Sequence, residues 1–345
     1  MVKRWYGKAG VLAVLKPLSL LVAAVSAAKK RQRIKNIHAP LPVIVVGNIS
    51  VGGTGKTPMV VAIVEHLIAK GLKPGVVSRG YGGEATEYPY YLDQHSTSKE
   101  SGDEPLLIYQ RCNVPVCVAP DRRAAIEYLL DRSDCNIVVS DDGLQHYGMA
   151  RSIEIAVIDG ERGLGNGQLM PVGPLRESAK ALAAVDMIVS NGQLNHPATI
   201  QLMAELQLKN RLWEMALQPE ALEPLEQLKS EQVKRLDSNA PVLKDVEINA
   251  IAGIGNPERF FNTLKSMGYK PKTFAFADHH HYQAQDLQFG NEFPIVMTEK
   301  DAVKCRQLNP KNAWYLPVAA VLPQGFYQQL DQLLQETPLA QEIKP

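Results

Sequence analysis

The run Gly52-Gly-Thr-Gly-Lys-Thr57 carries the strongest chemical signal in this chain. Glycines let backbone N–H groups converge on phosphate oxygens, Lys56 adds a full positive charge, and the Thr57 hydroxyl suits Mg²⁺. The general phosphate-loop pattern wants its first glycine five residues before Gly55, where this chain has Ser50. The context repairs the defect. An apolar β-branched run, Val43-Ile-Val-Val-Gly47, precedes the loop and a helical pattern over 59–69 follows it. A helix starting there would point its partial positive charge at the same phosphates. This strand–loop–helix unit points to nucleoside triphosphate binding, with Gly52, Gly53, Thr54, Gly55, Lys56 and Thr57 as the binding residues.

Other residue clusters have chemistry that such a loop needs. Ile137-Val-Val-Ser-Asp141-Asp142-Gly143 is an apolar run ending in paired acids, the place where a P-loop enzyme keeps carboxylates for Mg²⁺ or its water. A plain Asp-Gly turn is the rival reading. Gln145 and His146 follow it and can line the same crevice. Gly102-Asp103-Glu104-Pro105 stands at an expected helix start, so Asp103 is either a cap or a general base beside the γ-phosphate; spacing does not choose. Arg79, in a Gly-rich loop after a strand, and Arg122-Arg123, at a helix start, are arginines able to clamp phosphate, with a solvated side chain the default reading for each. Asp278-His279-His280-His281 holds three of the eight histidines. Successive side chains of an extended segment alternate faces, so they do not converge on one metal; an Asp–His pair acting as an oriented base fits better, and chance clustering on a surface loop is the rival reading. Thr298-Glu-Lys-Asp301 is not a guanine-reading element, because its lysine is displaced by one, which favours ATP over GTP. Gly253-Ile-Gly255 lacks the third glycine of a dinucleotide turn.

The elements that must hold these residues alternate between strand and helix. Strands are expected over 43–47, 74–78, 114–119, 136–140, 153–159 and 187–190, with helices over 59–70, 102–111 and 121–131. This is the rhythm of a mostly parallel sheet with helices on both faces, whose ligands bind at the carboxyl ends of the strands. From about residue 208 the texture changes. An extended segment over 211–217 and a charged Leu- and Glu-rich stretch over 220–244 lead into a smaller α/β unit. Its strands are expected over 246–252, 273–276 and 295–298, with helices over 258–267 and 302–308. One further strand over 314–322 is expected to pair with 211–217 as an interdomain connector, before a last helix over 326–334. The division is 1–35, 36–210 (P-loop domain), 211–322 (smaller domain with connectors) and 323–345.

With 345 residues, two domains with full cores are affordable, and a net charge of +1 gives no pull toward nucleic acid. The four cysteines form no Cys-x-x-Cys pair and read as reduced thiols. The first 35 residues hold many Lys and Arg and no acid. Residues 9–28 are mostly Leu, Val and Ala, interrupted by Lys16-Pro17. A cleaved signal peptide would separate the chain from ATP. A full span would place Lys16 near mid-membrane, whereas a helix in the interface lets it snorkel. Membrane association of residues 9–28 is expected over a buried core helix, without a choice between spanning and lying flat.

Taken together, Gly47-Asn48, Gly52-Gly-Thr-Gly-Lys-Thr-Pro58, Ser78-Arg-Gly-Tyr-Gly82, Gly102-Asp-Glu-Pro105, Asp141-Asp-Gly-Leu-Gln-His146, Pro171-Val-Gly-Pro-Leu-Arg-Glu177, Asp278-His-His280 and Thr298-Glu-Lys-Asp-Ala-Val-Lys304 resemble the tetraacyldisaccharide 4'-kinase family of Gram-negative bacteria. In that pattern Ser50 is no departure. The resemblance implies a P-loop domain, a smaller second domain and a cleft between them. It implies transfer of the ATP γ-phosphoryl group to the 4'-hydroxyl of a tetraacylated glucosamine disaccharide 1-phosphate, at the cytoplasmic face of the inner membrane. Carried over by position, Lys56 would hold phosphates; Thr57, Asp141 and Asp142 would serve Mg²⁺ and its water; and Asp103 would be the base, supported by His279 beside Asp278. Arg79, Arg122, Arg123, Gln145, Arg176 and Glu177 become candidates for phosphate or sugar contacts. His279 is expected to reach Asp103 only when the domains close. No obligate protein partner is implied. The rival reading is a membrane-attached P-loop nucleotide switch, but its signature lysine before the two glycines is Val51 here.

Overall fold

The computed structural model describes residues 5–7, 10–31, 41–225 and 245–337. Most of the stretch expected as loop and short helix after residue 220, and the basic flanks of the apolar N-terminus, lie outside them.

The strand β1 (Val43–Gly47) is buried along its whole length, as a central parallel strand covered on both faces must be. It runs through the glycine loop into α2 (Lys56–Ala69), three residues before the helix expected from periodicity. The N-terminal helix α1 (Lys16–Arg31) precedes both. Next come β2 (Pro74–Ser78), the short edge strand β3 (Tyr90–Tyr91), α3 (Asp103–Cys112), β4 (Val116–Val118) and α4 (Arg122–Leu130). Then follow β5 (Ile137–Asp141), β6 (Ile153–Asp159), β7 (Met187–Asn191), α5 (Pro197–Glu205) and β8 (Leu212–Pro219). The remaining elements are β9 (Glu223–Pro224), β10 (Glu247–Ala252), α6 (Pro257–Ser266), β11 (Lys270–Ala275), β12 (Ile295–Thr298), α7 (Glu299–Cys305), β13 (Ala313–Leu316), β14 (Val318–Val321) and α8 (Gln324–Gln335).

Two sheets result. The larger has the order β14-β8-β7-β6-β1-β5-β2-β4-β3, with only the outer β14 and β3 antiparallel to their neighbours. The smaller has the order β11-β10-β12-β13-β9, with β9 antiparallel. This is the mixed α/β architecture, with its large mostly parallel sheet, that the alternating pattern implies. One apolar layer packs Ile44 and Val46 of β1 against Met59, Ile63 and Leu67 of α2 and Phe326 and Leu330 of α8. A second layer on the opposite face includes Val43, Val45 and Leu129 of α4.

The strand expected over 314–322 is two strands. Proline 317 lies between them, and its missing N–H ends the ladder. Trp314 and Tyr315 pair with β9 in the smaller sheet, whereas Val318–Val321 pair antiparallel with 216–219 of β8 in the larger. The connector pairing was thus expected, but the crossing from sheet to sheet inside that segment was not.

In α1 the residues Val14 (just before it), Leu18, Leu21 and Val25 are exposed at spacings of four, three and four, with Leu20 beside them. They form one stripe. The segment is held to the body by other groups: Trp5 Nε1 donates to Pro171 O at 3.0 Å, Ser19 Oγ to Leu169 O at 3.0 Å and Ser26 Oγ to Arg176 O at 3.2 Å. Among the described residues no helix is long and apolar enough to cross a membrane.

Candidate active site

The glycine loop leaves β1 and enters α2 at Gly55, whose φ is 89°. A Cβ at Gly55 would lie 2.7 Å from Asn191 Nδ2, so both backbone conformation and space demand glycine. Asn191 donates to Thr54 O at 3.2 Å, and Asn48 Nδ2 reaches Gly52 O and Thr54 Oγ1, both at 3.4 Å. The loop is therefore pinned from β7 and from the end of β1. Arg162, which the sequence reading passed over, donates to Gly53 O at 2.8 Å while paired with Asp159. It lies under the Tyr6 ring at 5.3 Å, so the N-terminal segment touches the loop's support.

β5 lies beside β1 and ends in the paired acids, which do different things. Asp141 is buried; its Oδ2 accepts from Ser78 Oγ at 3.1 Å, and its Oδ1 has no partner among the described residues. Burial, then the charges of Glu104 and Asp142, pushes its carboxyl up to about 7. Asp142, with φ 49°, turns toward the loop, 3.5 Å from Lys56 Nζ and 3.0 Å from Arg176 Nη1. Burial pushes Asp142 up, but Lys56 and Arg176 outweigh it and hold its carboxyl below the usual carboxylate range. Gln145 Nε2 donates to Asn48 O at 2.9 Å and to Glu177 Oε1 at 2.6 Å, and Tyr147 OH donates to Glu177 Oε2 at 2.8 Å.

Asp103 opens α3, where an acid is favoured by the helix dipole. Gly102 before it has φ 87°, and a Cβ there would lie 2.7 Å from Tyr81 O, so the Ser78–Gly82 loop packs backbone to backbone on this turn. The Asp103 side chain does not cap the helix as an N-cap residue would. It accepts from the Glu104 N–H at 3.0 Å, and its Oδ2 lies 3.1 Å from His279 Nδ1. His279 comes from the other sheet's lobe and holds a left-handed backbone, φ 60°. Such outliers persist where surrounding contacts over-determine them. The pair is joined in this structure, across the two lobes. Burial pushes Asp103 up, yet the His279 hydrogen bond and the ammoniums of Lys300 and Lys304 hold its carboxyl below the usual range. That same hydrogen bond raises His279 above an ordinary imidazole, against burial and Lys300.

The other histidines diverge, as alternation requires. His280 Nε2 pairs with Asp286 at 3.0 Å and its ring stacks on Phe276. Among the described residues no group of three or more His, Cys, Asp or Glu could hold a metal by themselves.

Two cavities meet at Glu104. One runs from Gly53–Pro58 past Arg111 and Asn191 to Asn256, Phe260 and Lys300 of the second lobe, with Asp278 on its wall. The other is lined by Ser78, Arg79, Tyr81, Asp141, Asp142, Arg176 and Glu177, and reaches Val25 and Ser26 of α1. Arg122 and Arg123 lie outside this arrangement as phosphate clamps. Arg122 is buried and donates to Ala119 O at 2.8 Å and Asp141 O at 3.4 Å, so it props the strand end. Arg123, one helix position on, is exposed and paired with Glu127 at 2.9 Å. His146 Nε2 accepts from the Arg122 N–H at 3.2 Å.

A glycine loop at a parallel-strand end, a buried acid beside it and an acid–histidine pair across the same cleft define a P-loop phosphotransferase. A family model described as Tetraacyldisaccharide-1-P 4'-kinase matches residues 11–335, and the chain belongs to that family. The tetraacyldisaccharide 4'-kinase of Tolumonas auensis is 45% identical over 340 residues, covering 97% of each chain. That of Aeromonas salmonicida is 45% identical over 345 residues, covering 97% of this chain and 95% of its own. The fold is also that of LpxK from Aquifex aeolicus, solved in complex with ATP, at a TM-score of 0.73 and 24% identity, over 93% of this chain and 98% of that one.

Proposed function

We infer that this chain transfers the γ-phosphoryl group of ATP to the 4'-hydroxyl of a tetraacylated glucosamine disaccharide 1-phosphate. Family membership supports the reaction. The observation that carries the location of the chemistry is the Asp103–His279 pair, 3.1 Å apart, whose sequence neighbours Glu104 and Asp278 line the cavities, Glu104 both of them. ATP enters along the cavity that starts at the loop, and the glycolipid along the one that opens at α1.

The residue roles follow from chemistry. The backbone N–H groups of Gly52–Gly55 and the Lys56 ammonium hold phosphates, positioning the γ-phosphoryl group where its charge is met. Asp141, Asp142 and Thr57 offer only oxygen donors, and Asp141 keeps one buried oxygen unpartnered. That set fits Mg²⁺, which when bound would offset charge on the phosphate oxygens. Asp103 accepts the acceptor hydroxyl's proton, with His279 orienting it and sharing the charge. Arg79 faces the acceptor cavity, and Arg176 and Gln145 hold Asp142 and Glu177 in its wall. Asp278 contacts the pair from its backbone side.

The exposed stripe of α1 supports seating on a lipid surface, with Lys16 snorkelling. Because ATP is cytoplasmic, the surface is the cytoplasmic face of the bacterial inner membrane. We propose the domain division 36–210 and 211–322, with β8 and β14 as the connectors.

The test is transfer of labelled γ-phosphate from ATP to a tetraacyldisaccharide 1-phosphate in detergent micelles, comparing the wild type with Lys56→Ala and Asp103→Ala. Labelled glycolipid is expected from the wild type, with a loss of about 10²–10⁴-fold in each variant. ATP consumption without labelled glycolipid would support the nucleotide switch instead.

A further inference from the structure

Lys300 is a charged group of the cleft to which the roles above give no task. It stands in the first turn of α7, where the helix dipole disfavours a cation, so its position must be compensated by what it meets. Its Nζ lies 3.2 Å from Glu104 Oε1, 3.6 Å from Asp103 Oδ2 and 3.7 Å from Asp278 Oδ1. Two of these carboxylates belong to α3 in the P-loop lobe and the third to the loop that carries His279. The side chain is only 19% exposed, so burial disfavours its charge, but the three carboxylates, Glu104 foremost, overcome that and hold the ammonium protonated.

We propose that Lys300 is a positioning residue for phosphoryl transfer. Its ammonium draws Asp103 and Glu104 of one lobe and Asp278 of the other onto a single point, and so holds the base pair at the register where it faces the cleft. The inference rests on the phosphotransfer reading and extends it to a residue on the wall of the nucleotide cavity to which that reading assigns no contact. An ammonium that approaches both Asp103 and the loop of His279 opposes protonation of either. The groups facing Asp103 are His279, Lys300 and Lys304; those facing His279 are Asp103, Asp278, Lys300 and the Tyr81 ring, whose centroid lies 5.2 Å away. Without Lys300, Glu104 and Asp278 would stand beside the pair uncompensated, and the pair would keep its proton to higher pH.

The test compares wild type, Lys300→Met and Lys300→Arg in the transfer assay across pH, together with an NMR titration of the His279 ring in the same proteins. In Lys300→Met the acid limb of kcat/KM is expected to move up by about one unit, and the ring to titrate higher by a similar amount. Lys300→Arg is expected to bring both back toward wild type. A limb and a ring titration that stay in place in Lys300→Met would overturn the inference, as would a loss equal at every pH that arginine does not recover. A rise confined to the KM for ATP would also overturn it, because Lys300 would then be a nucleotide contact. If Lys300→Met does not fold, Lys300→Gln removes the charge but keeps a donor, and is read by the same criteria. A wild type that moves no phosphate to the glycolipid would defeat the functional reading, while the ring titration would still decide the role of Lys300.

Discussion

His279 and Asp103 pull each other's protonation in opposite directions, and that sets a pH window. His279 is raised, so its contribution to holding the lobes is full below pH about 6.5, the ordinary imidazole value, and is lost as pH rises through its higher folded value. Asp103 is lowered, so its contribution is present above about 4, the ordinary carboxyl value, and is lost as pH falls through its lower folded value. The ion pair is therefore strongest between those limits. In the proposed role catalysis wants the next state, because a pair acting as the base must shed a proton before it can take one from the acceptor hydroxyl. The expected profile of kcat/KM climbs with unit slope and levels off only above pH about 6.5. In His279→Asn that limb should vanish from a rate–pH series, with kcat lower by about 10²-fold or more. A limb unchanged in His279→Asn would remove His279 from the chemistry. The same scale shows how fine some assignments are. Arg122 and Arg123 read alike in the sequence, yet about 100° of helix rotation separates them. One is buried behind Asp141 and the other faces water.

At the scale of elements, the phosphate loop and α1 make separable claims. Gly55 is the hinge between loop and α2. Alanine there would adopt a left-handed backbone and meet Asn191, so Gly55→Ala should cost about 1–2 kcal/mol from backbone alone. Nucleotide binding should fall with it. Urea unfolding and a nucleotide titration check both, and unaltered ATP affinity would mean that the loop tolerates the shift. For α1, the exposed Leu20 and Leu21 touch little of the protein. Replacing both by Glu should leave unfolding within about 0.5 kcal/mol of wild type. Co-sedimentation with anionic vesicles should fall clearly, because the apolar face and the lipid charge both stop favouring contact. Undiminished vesicle binding would move the membrane contact elsewhere. The elements themselves were mostly legible: β1, β2, β6 and β12 begin and end where the apolar runs do. The division of 314–322 was not, because either half is a good strand alone and only the two sheets decide which neighbour each takes.

At the scale of the molecule, the two lobes are tied at the back of the cleft by one arginine. Arg111 Nη1 donates to Glu299 at 2.9 Å and to Val318 O at 3.2 Å, and its Nη2 donates to Glu220 at 3.0 Å. A single side chain on α3 thus joins the helix that carries Asp103, the helix that carries Lys300, the connector β14 and the residue that follows β8. Arg111→Ala would leave the half-buried Glu299 without this partner, at a cost of about 1.5–3 kcal/mol in urea unfolding. It should also lower kcat, since closure positions the base. Full stability and full turnover in Arg111→Ala would show the clamp to be incidental. What the sequence determined by itself was local: the phosphate loop, the acids after β5, the Asp–His step and the parallel α/β rhythm, because each is written in contiguous residues whose spacing directly encodes backbone geometry. What only the tertiary structure decided was which distant charges meet. Asp103 with His279, Arg111 with Glu299 and Lys300 with three carboxylates are separated by well over a hundred residues in at least one partner, and no periodicity along a chain records a distance across a cleft.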